Sequence, residues 1–494
     1  EARALEVVQL LLAASAAASA VDGDGRSALH RAAGAGSPEI CELLLRHSAP
    51  LEVQDSRGGS PLHFAVGAGH DATAALLLRR AADVAARDAQ GLEPLHLAAG
   101  EGGAELCDLL LLARASVDAR NARGATALHC AAAIPRRRVP AGAGDVIAVL
   151  LEAGALPSAE DTDRLSPLHL AAKSGSARAC ELLIARNAVA GAVDAQGRTA
   201  LHFAAGAESD EAVAYLLDQD AEPAVADSAG LTAMHIAASA AGGPATLATI
   251  CMLLDARASA SARDVNGGTP LHFAVASPAA GRREVTSMLV ARRADLNAAD
   301  GEGLGPLHVA AHGGAASLCA QLVERSAALE LADAEGRTPL HLASLQKQPD
   351  AARALYALGA SAKASSAISK AFAACLAQQS VLLHGLSGAP DLNGCRGSLL
   401  GPASGNGGTE RFGVDVDAVG QRSVKPVNIA LTSSSCVAGD RVVVVGLENG
   451  DGREGCTGTV LSSTGREAPV FVSLDGGDEC ELAPGCVHPF LAHA

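Results

Sequence analysis

The stretch Asp333-Ala334-Glu335-Gly336-Arg337-Thr338-Pro339-Leu340-His341-Leu342-Ala343 carries the chemistry of a tight turn running into a helix. Asp suits the first turn position because its carboxylate accepts from backbone N–H groups just ahead of it, and Gly supplies the positive φ that closes the turn. Thr338 stands where its hydroxyl can cap the free N–H groups of a new helix. Pro339, at the first helical position, gives up no hydrogen bond there. Leu340 and Ala343 then begin an apolar face.

Outward from this stretch the pattern recurs. Leu-His stands at Leu29-His30, Leu62-His63, Leu95-His96, Leu128-His129, Leu168-His169, Leu201-His202, Leu271-His272, Leu307-His308 and Leu340-His341, with Met234-His235 completing the series. Six of the gaps are 33 residues and the other three are 40, 37 and 36. A period held over ten copies defines an array of repeats, each one supersecondary unit that buries its apolar face only by stacking. Asp and Gly lie eight and five residues before the His in most copies, as in Asp55-Ser56-Arg57-Gly58 and Asp194-Ala195-Gln196-Gly197. Ser or Thr precedes the His by three residues in eight copies. Ala-Ala pairs let a first helix lie close to its neighbour, and runs such as Cys41-Glu42-Leu43-Leu44-Leu45 give a second helix one buried stripe.

These copies resemble ankyrin repeats, whose Thr-Pro-Leu-His-x-Ala-Ala pattern is met, less its last Ala, from Thr338 to Ala343 and from Thr269 to Ala274. The resemblance covers residues 1–363, the first repeat being truncated, since Ala4 to Ala17 read as a second helix without its first; the chain is expected to continue upstream. It implies an α-solenoid that binds proteins through turn tips and a concave helix face. One departure stands out. Gly before the closing Ala of the second helix survives only at Gly154 and Gly359; Ser48, Ala81, Arg114, Asn187, Asp220, Arg257, Arg293 and Ser326 occupy the other copies. A left-handed backbone costs a non-Gly residue about 1 kcal/mol, so local adjustment and lower stability are expected.

After a helical linker at 364–380, strand-like alternation and Gly-rich turns take over. His384-Gly385-Leu386 followed by Gly394-Cys395-Arg396-Gly397 matches Val445-Gly446-Leu447 followed by Gly455-Cys456-Thr457-Gly458, and Phe412 to Asp417 matches Val470 to Asp475. Two tandem β modules at 381–431 and 437–491 follow. They resemble SH3-like barrels with the turn Leu392-Asn393-Gly394-Cys395-Arg396-Gly397. The expected fold is therefore mainly α, an ankyrin-repeat solenoid with a C-terminal pair of small SH3-like β barrels.

Composition narrows the function. The 494 residues carry a net charge of −16, and residues 381–494 hold 7 basic against 13 acidic side chains, so nucleic acid is not an expected partner. The apolar stretch Leu10 to Val21 is too short to span a bilayer, and no membrane insertion is expected. There is no Trp; two Tyr and seven Phe leave the core to Leu and Ala. Twelve Cys without CxxC pairs, several at one repeat position, read as reduced core residues of a cytoplasmic or nuclear protein.

Ten His at one-repeat spacing cannot converge on a metal ion and read as local hydrogen-bonding groups between turn and helix. The Asp ladder at 22, 55, 88, 161, 194, 227, 264, 300 and 333 reads as turn capping rather than a calcium or basic-partner site. Cys436, Cys456, Cys480 and Cys486 are numerous enough for zinc, but Cys456 pairs with Cys395 at a turn, which favours packing. No nucleophile elbow, P-loop or metallohydrolase motif is present. No cofactor is expected, and the chain reads as a monomeric, non-catalytic scaffold or adaptor for one or more proteins. The other reading is a recruiting region of a larger enzyme, such as a ubiquitin ligase or kinase.

Two sets of residues are candidates for protein contact. The turn tips vary at Arg57, Gln90, Arg123, Gln196, Asn266, Glu302 and Glu335. Insertions between the two helices of three copies, Ile134 to Gly144, Ala240 to Pro244 and Ser277 to Arg283, carry Arg136, Arg137, Arg138, Arg282 and Arg283, a basic edge for an acidic partner or simply solvated loops.

Overall fold

The computed structural model describes residues 2–135, 143–240 and 242–361, and the backbone of ten strands between Ser380 and Pro489. It divides into two compact units, Glu1–Ser259 and Ala260–Ala494.

The first unit opens on α1 (Ala2–Ala13), the second helix of a repeat, and continues with seven helix pairs. First helices stack in one layer, α2 (Ala28–Gly34) on α4 (Pro61–Gly67) and α4 on α6 (Pro94–Glu101). Second helices α3 (Pro38–Arg46), α5 (Asp71–Arg79) and α7 (Ala104–Leu112) stack in another. The core follows from that arrangement. Leu29, Ala33, Leu62, Ala65, Leu95 and Ala98 are buried from the first layer, Cys41, Leu44, Ala74, Leu77, Cys107 and Leu110 from the second. Small side chains let helices approach closely, and each Leu closes the gap between layers. In the second unit three further pairs run from α16 (Pro270–Ala276) and α17 (Arg282–Ala291) to α20 (Pro339–Leu345) and α21 (Pro349–Ala357).

The positions without Gly stay left-handed with a local shift: Ser48, Ala81, Arg114, Asn187, Asp220, Arg257, Arg293 and Ser326 all take φ between 56° and 74°, where Gly154 and Gly359 take 91° and 97°. The reason is a doubly bonded helix end. Ser48 N–H donates to Leu45 O at 3.1 Å and Ala49 N–H to Leu44 O at 3.0 Å, with Ala49 itself buried, and this pair of bonds recurs after the other second helices of the array. Two bonds and a docked methyl hold each residue in a conformation it would not choose alone.

Arg282 and Arg283 are the first residues of α17 rather than part of the loop before it. The insertion in the fourth copy lies between α8 (Ala127–Ala132) and α9 (Ala143–Glu152), and Arg136, Arg137 and Arg138 lie outside the described residues. The linker 364–380 does too, save Ser380.

Beyond it stand two antiparallel five-stranded sheets. β1 (Ser380–Leu383), β2 (Arg396–Ala403), β3 (Arg411–Val416), β4 (Gly420–Val424) and β5 (Ile429–Leu431) are ordered β4-β3-β2-β1-β5. β6 (Arg441–Val444), β7 (Thr457–Ser463), β8 (Val470–Leu474), β9 (Glu479–Leu482) and β10 (Val487–Pro489) are ordered β10-β6-β7-β8-β9. The order is the same, and so is the register shift, between Leu399 and Gly401 in one sheet and Val460 and Ser462 in the other.

Candidate protein-interaction surface

The tips are built from the turn upward. Asp55 Oδ1 accepts from Arg57 N–H at 2.9 Å and Gly59 N–H at 2.8 Å, and Asp88, Asp161, Asp194 and Asp227 close their turns in the same way, as does Asn121. The Asp ladder is thus committed to its own backbone. Burial alone would raise the Asp55 and Asp194 carboxyls, but these N–H groups and the guanidinia of Arg26 and Arg198 hold both below the usual range.

Consecutive tips are then tied to each other. In the first unit Ser56 N–H donates to Asp24 O, Ala89 to Arg57, Ala122 to Gln90, Thr162 to Arg123, Ala195 to Asp163 and Ser228 to Gln196, at 2.7–3.0 Å. In the second, Gly301 N–H donates to Asn266 O at 2.6 Å and Ala334 N–H to Glu302 O at 3.0 Å. Gly58 shows why the turn tolerates so little: at φ 76°, a Cβ on it would stand 2.8 Å from Ala89 N. The carbonyls of Arg57, Gln90, Arg123, Gln196, Asn266 and Glu302 are therefore fixed by the next tip, while all their side chains, and that of Glu335, are exposed. Among the described residues, Glu335 alone of these is ion-paired, at 2.7 Å to Arg337. Arg282 is half-buried, with Nη1 3.4 Å from Ser277 O, and Arg283 is exposed.

The histidines hold the tips to the helices. In nine copies the backbone N–H three residues earlier donates to Nδ1 at 3.0–3.2 Å. In eight copies Nε2 lies 2.9–3.1 Å from a carbonyl in the following repeat, as His30 does from Gly59 O and His129 from Leu165 O. A carbonyl only accepts, so Nε2 carries the proton and Nδ1 is the acceptor. Burial pushes the pKa of His30, His96, His129, His169, His202, His272 and His308 down, which keeps the imidazoles neutral. The local role read from spacing is accompanied by one it did not reveal: each of these eight rings joins its repeat to the next.

The hydroxyl before the His also differs from a plain helix cap. Ser27 and Thr338 accept from the His N–H at 3.4 Å, yet in seven copies the hydroxyl lies 2.8–3.0 Å from Nδ1. Glu93 and Gly305, which lack a hydroxyl, keep the backbone bond to Nδ1. Among the described residues no group of three or more His, Cys, Asp or Glu is placed to hold a metal ion, and no helix is long and apolar enough to cross a membrane. The four cysteines weighed as a zinc set lie beyond the residues whose side chains are described.

Stacked turn-helix-helix units with fixed backbones and variable exposed tips define a helical-repeat interaction fold. Comparison with protein families gives its name. A model described as Ankyrin repeats (3 copies) matches residues 1–88, 138–227 and 280–366, and one described as Ankyrin repeat matches residues 90–122. The chain belongs to the ankyrin-repeat family, whose repeats are in general non-catalytic protein-interaction modules. No curated protein matches the chain.

Proposed function

We propose that this protein is a non-catalytic scaffold or adaptor that holds partner proteins on its turn tips and first-helix face. The observation that carries the reading is the tip ladder: backbones locked to one another by inter-repeat hydrogen bonds, with Arg57, Gln90, Arg123 and Gln196 exposed in a row along the first unit. A preformed backbone lowers the ordering cost of binding, and varied side chains on it supply selectivity. Asn266, Glu302 and Glu335 extend the idea to the second unit, and the Arg136–Arg138 and Arg282–Arg283 sets add positive charge for an acidic partner segment. Two sheets of the same strand order support reading 381–431 and 437–491 as a tandem pair of like modules, SH3-like barrels that serve for docking or capping. Unpaired buried thiols at matching positions, Cys41, Cys107, Cys180 and Cys319, support a reducing, cytoplasmic or nuclear setting.

Affinity capture tests it. The whole chain is compared with a variant in which Arg57, Gln90, Arg123 and Gln196 are all changed to Ser, the captured proteins being quantified by mass spectrometry. Saturable partners lost in the variant are expected; an identical set captured by both, or none by either, would remove the tips from function.

A further inference from the structure

The tip of the eighth copy, Asp264-Val265-Asn266-Gly267, differs from the others in its chemistry: of the tip residues that stand directly before a Gly, only residue 266 is Asn. Asn before Gly is a reactive pair. Attack of the following backbone nitrogen on the Asn side-chain carbonyl closes a five-membered ring, and Gly adds no Cβ to crowd that nitrogen. The fold itself demands the Gly, since at φ 78° a Cβ on residue 267 would stand 2.9 Å from Gly301 N. Asn393, Asn406 and Asn449 also precede Gly but lie outside the described residues.

Folding leaves the side-chain amide free and holds the attacking nitrogen by one bond. Asn266 is exposed, and among the described residues its side chain forms no hydrogen bond, only its backbone N–H reaching Asp264 Oδ1 at 2.9 Å. Gly267 N–H donates to Asp264 O at 3.0 Å, and Asn266 O accepts from Gly301 N–H at 2.6 Å, the tie to the next tip. These bonds lie in a surface turn, a part of a fold that opens at low cost, and each opening frees Gly267 N. The other Asn residues of the described array are guarded. Asn121 Oδ1 accepts from Arg123 and Ala125 N–H at 2.9 and 3.0 Å, and Asn297 Oδ1 from Ala328 N–H at 2.8 Å. Asn121, Asn187 and Asn297 are each followed by Ala, whose methyl crowds the nitrogen.

We propose that Asn266–Gly267 is a site of spontaneous covalent modification, in which water alone is the co-reactant, that turns a neutral tip anionic and unties it from the next. Gly267 N attacks Asn266 Cγ. The N–Cγ bond forms, the Cγ–Nδ2 bond breaks, and ammonia leaves with the proton given up by Gly267 N. Water then opens the cyclic imide. Cleavage of the N–Cγ bond leaves Asp at 266, whereas cleavage of the bond to the backbone carbonyl leaves isoaspartate, with the chain running through Cγ. In isoaspartate the carbonyl that accepted from Gly301 has become a carboxylate outside the chain, and the turn from Asp264 to Gly267 is one backbone atom longer. Both bonds then lose their geometry. The inference concerns the chemistry of the tip itself and is independent of what the tips bind.

The test is timed incubation of the whole chain at neutral pH beside a synthetic peptide of residues 262–270. Samples are digested at mildly acidic pH, where imide formation is slow, and mapped by mass spectrometry with fragmentation that separates isoaspartate from Asp. Conversion at Asn266 is expected about fivefold slower than in the peptide, the scale of the one hydrogen bond that holds Gly267 N, with Asn121, Asn187 and Asn297 intact over the same time. Amide hydrogen exchange at Gly267 and Gly301 is expected about fivefold faster in the isoaspartate chain, again the scale of one lost bond at each. Asn266→Ser removes the reactive amide and keeps the backbone carbonyl, so its exchange rates should stay constant through the incubation. Asn266 converting no faster than Asn121, or exchange at both glycines unchanged in the isoaspartate chain, would overturn the proposal. So would an equal loss of protection in incubated Asn266→Ser, which would place its cause elsewhere.

Discussion

Replacing Ala81, Arg114 and Arg257 with Gly should stabilise the protein, an unusual outcome for three helix-end substitutions. Each residue sits at φ 63–68° with an exposed side chain, so truncation removes no packing. The left-handed conformation costs a residue with a Cβ about 1–2 kcal/mol relative to Gly. Against that, Gly loosens the unfolded chain by about 0.4–1 kcal/mol. The net gain is about 0.5–1 kcal/mol per site, or about 2 kcal/mol for the triple variant if the sites add. Urea titration followed by circular dichroism reads it as a higher midpoint with an unchanged slope. Asn187→Gly is the internal control. Asn visits this region more readily, so its gain should be near zero. A triple variant no more stable than the parent, or a gain at Asn187 equal to that at Ala81, would refute the argument that these positions store strain.

Four further outcomes follow from the same geometry. Because His30, His96, His129, His169 and His202 have pKa values pushed below the ordinary 6.5, the unfolded chain takes up protons that the folded one refuses. Their stabilising effect is present above pH about 6.5 and lost as pH falls towards the folded values, by up to about 1.4 kcal/mol per pH unit for each His; urea midpoints measured from neutral to mildly acidic pH should fall, less steeply in His129→Gln. Thr73 Oγ1 is buried without a hydrogen-bond partner among the described residues, so Thr73→Val should be neutral or stabilising by up to about 1 kcal/mol, read by thermal unfolding. Leu110, fully buried between the layers, should cost about 2–5 kcal/mol as Leu110→Ala in the same assay. Burial pushes the thiols of Cys41, Cys107 and Cys180 up to about 12, so peptide mapping after alkylation of the native protein at neutral pH should find them unmodified, and labelled once urea is added.

The array was legible because its signals are local. Asp and Gly in a turn, Pro at a helix start and a Leu stripe on a second helix act within one repeat, and each was placed by spacing alone. What escaped was everything that joins one repeat to the next. His30 Nε2 reaches Gly59, and Ser56 N–H reaches Asp24 O, across about one period; residue types do not announce such pairings. What holds the strained helix ends was hidden for a related reason. Propensity says that Arg114 resists a positive φ, but the bonds from Arg114 and Ala115 N–H to Leu111 and Leu110, with Ala115 buried, override it. The tips were found as variable positions, whereas their fixed backbones, which make them a surface rather than loops, came from structure.

The claim that this chain works by holding proteins on its repeats is tested most directly by hydrogen exchange on the whole chain bound to a partner recovered by affinity capture. Protection concentrated on the tips around Arg57, Gln90, Arg123 and Gln196 and on the adjoining first helices is the expected result. Protection confined to residues 380–489, with the tips exchanging as in the free protein, would contradict it.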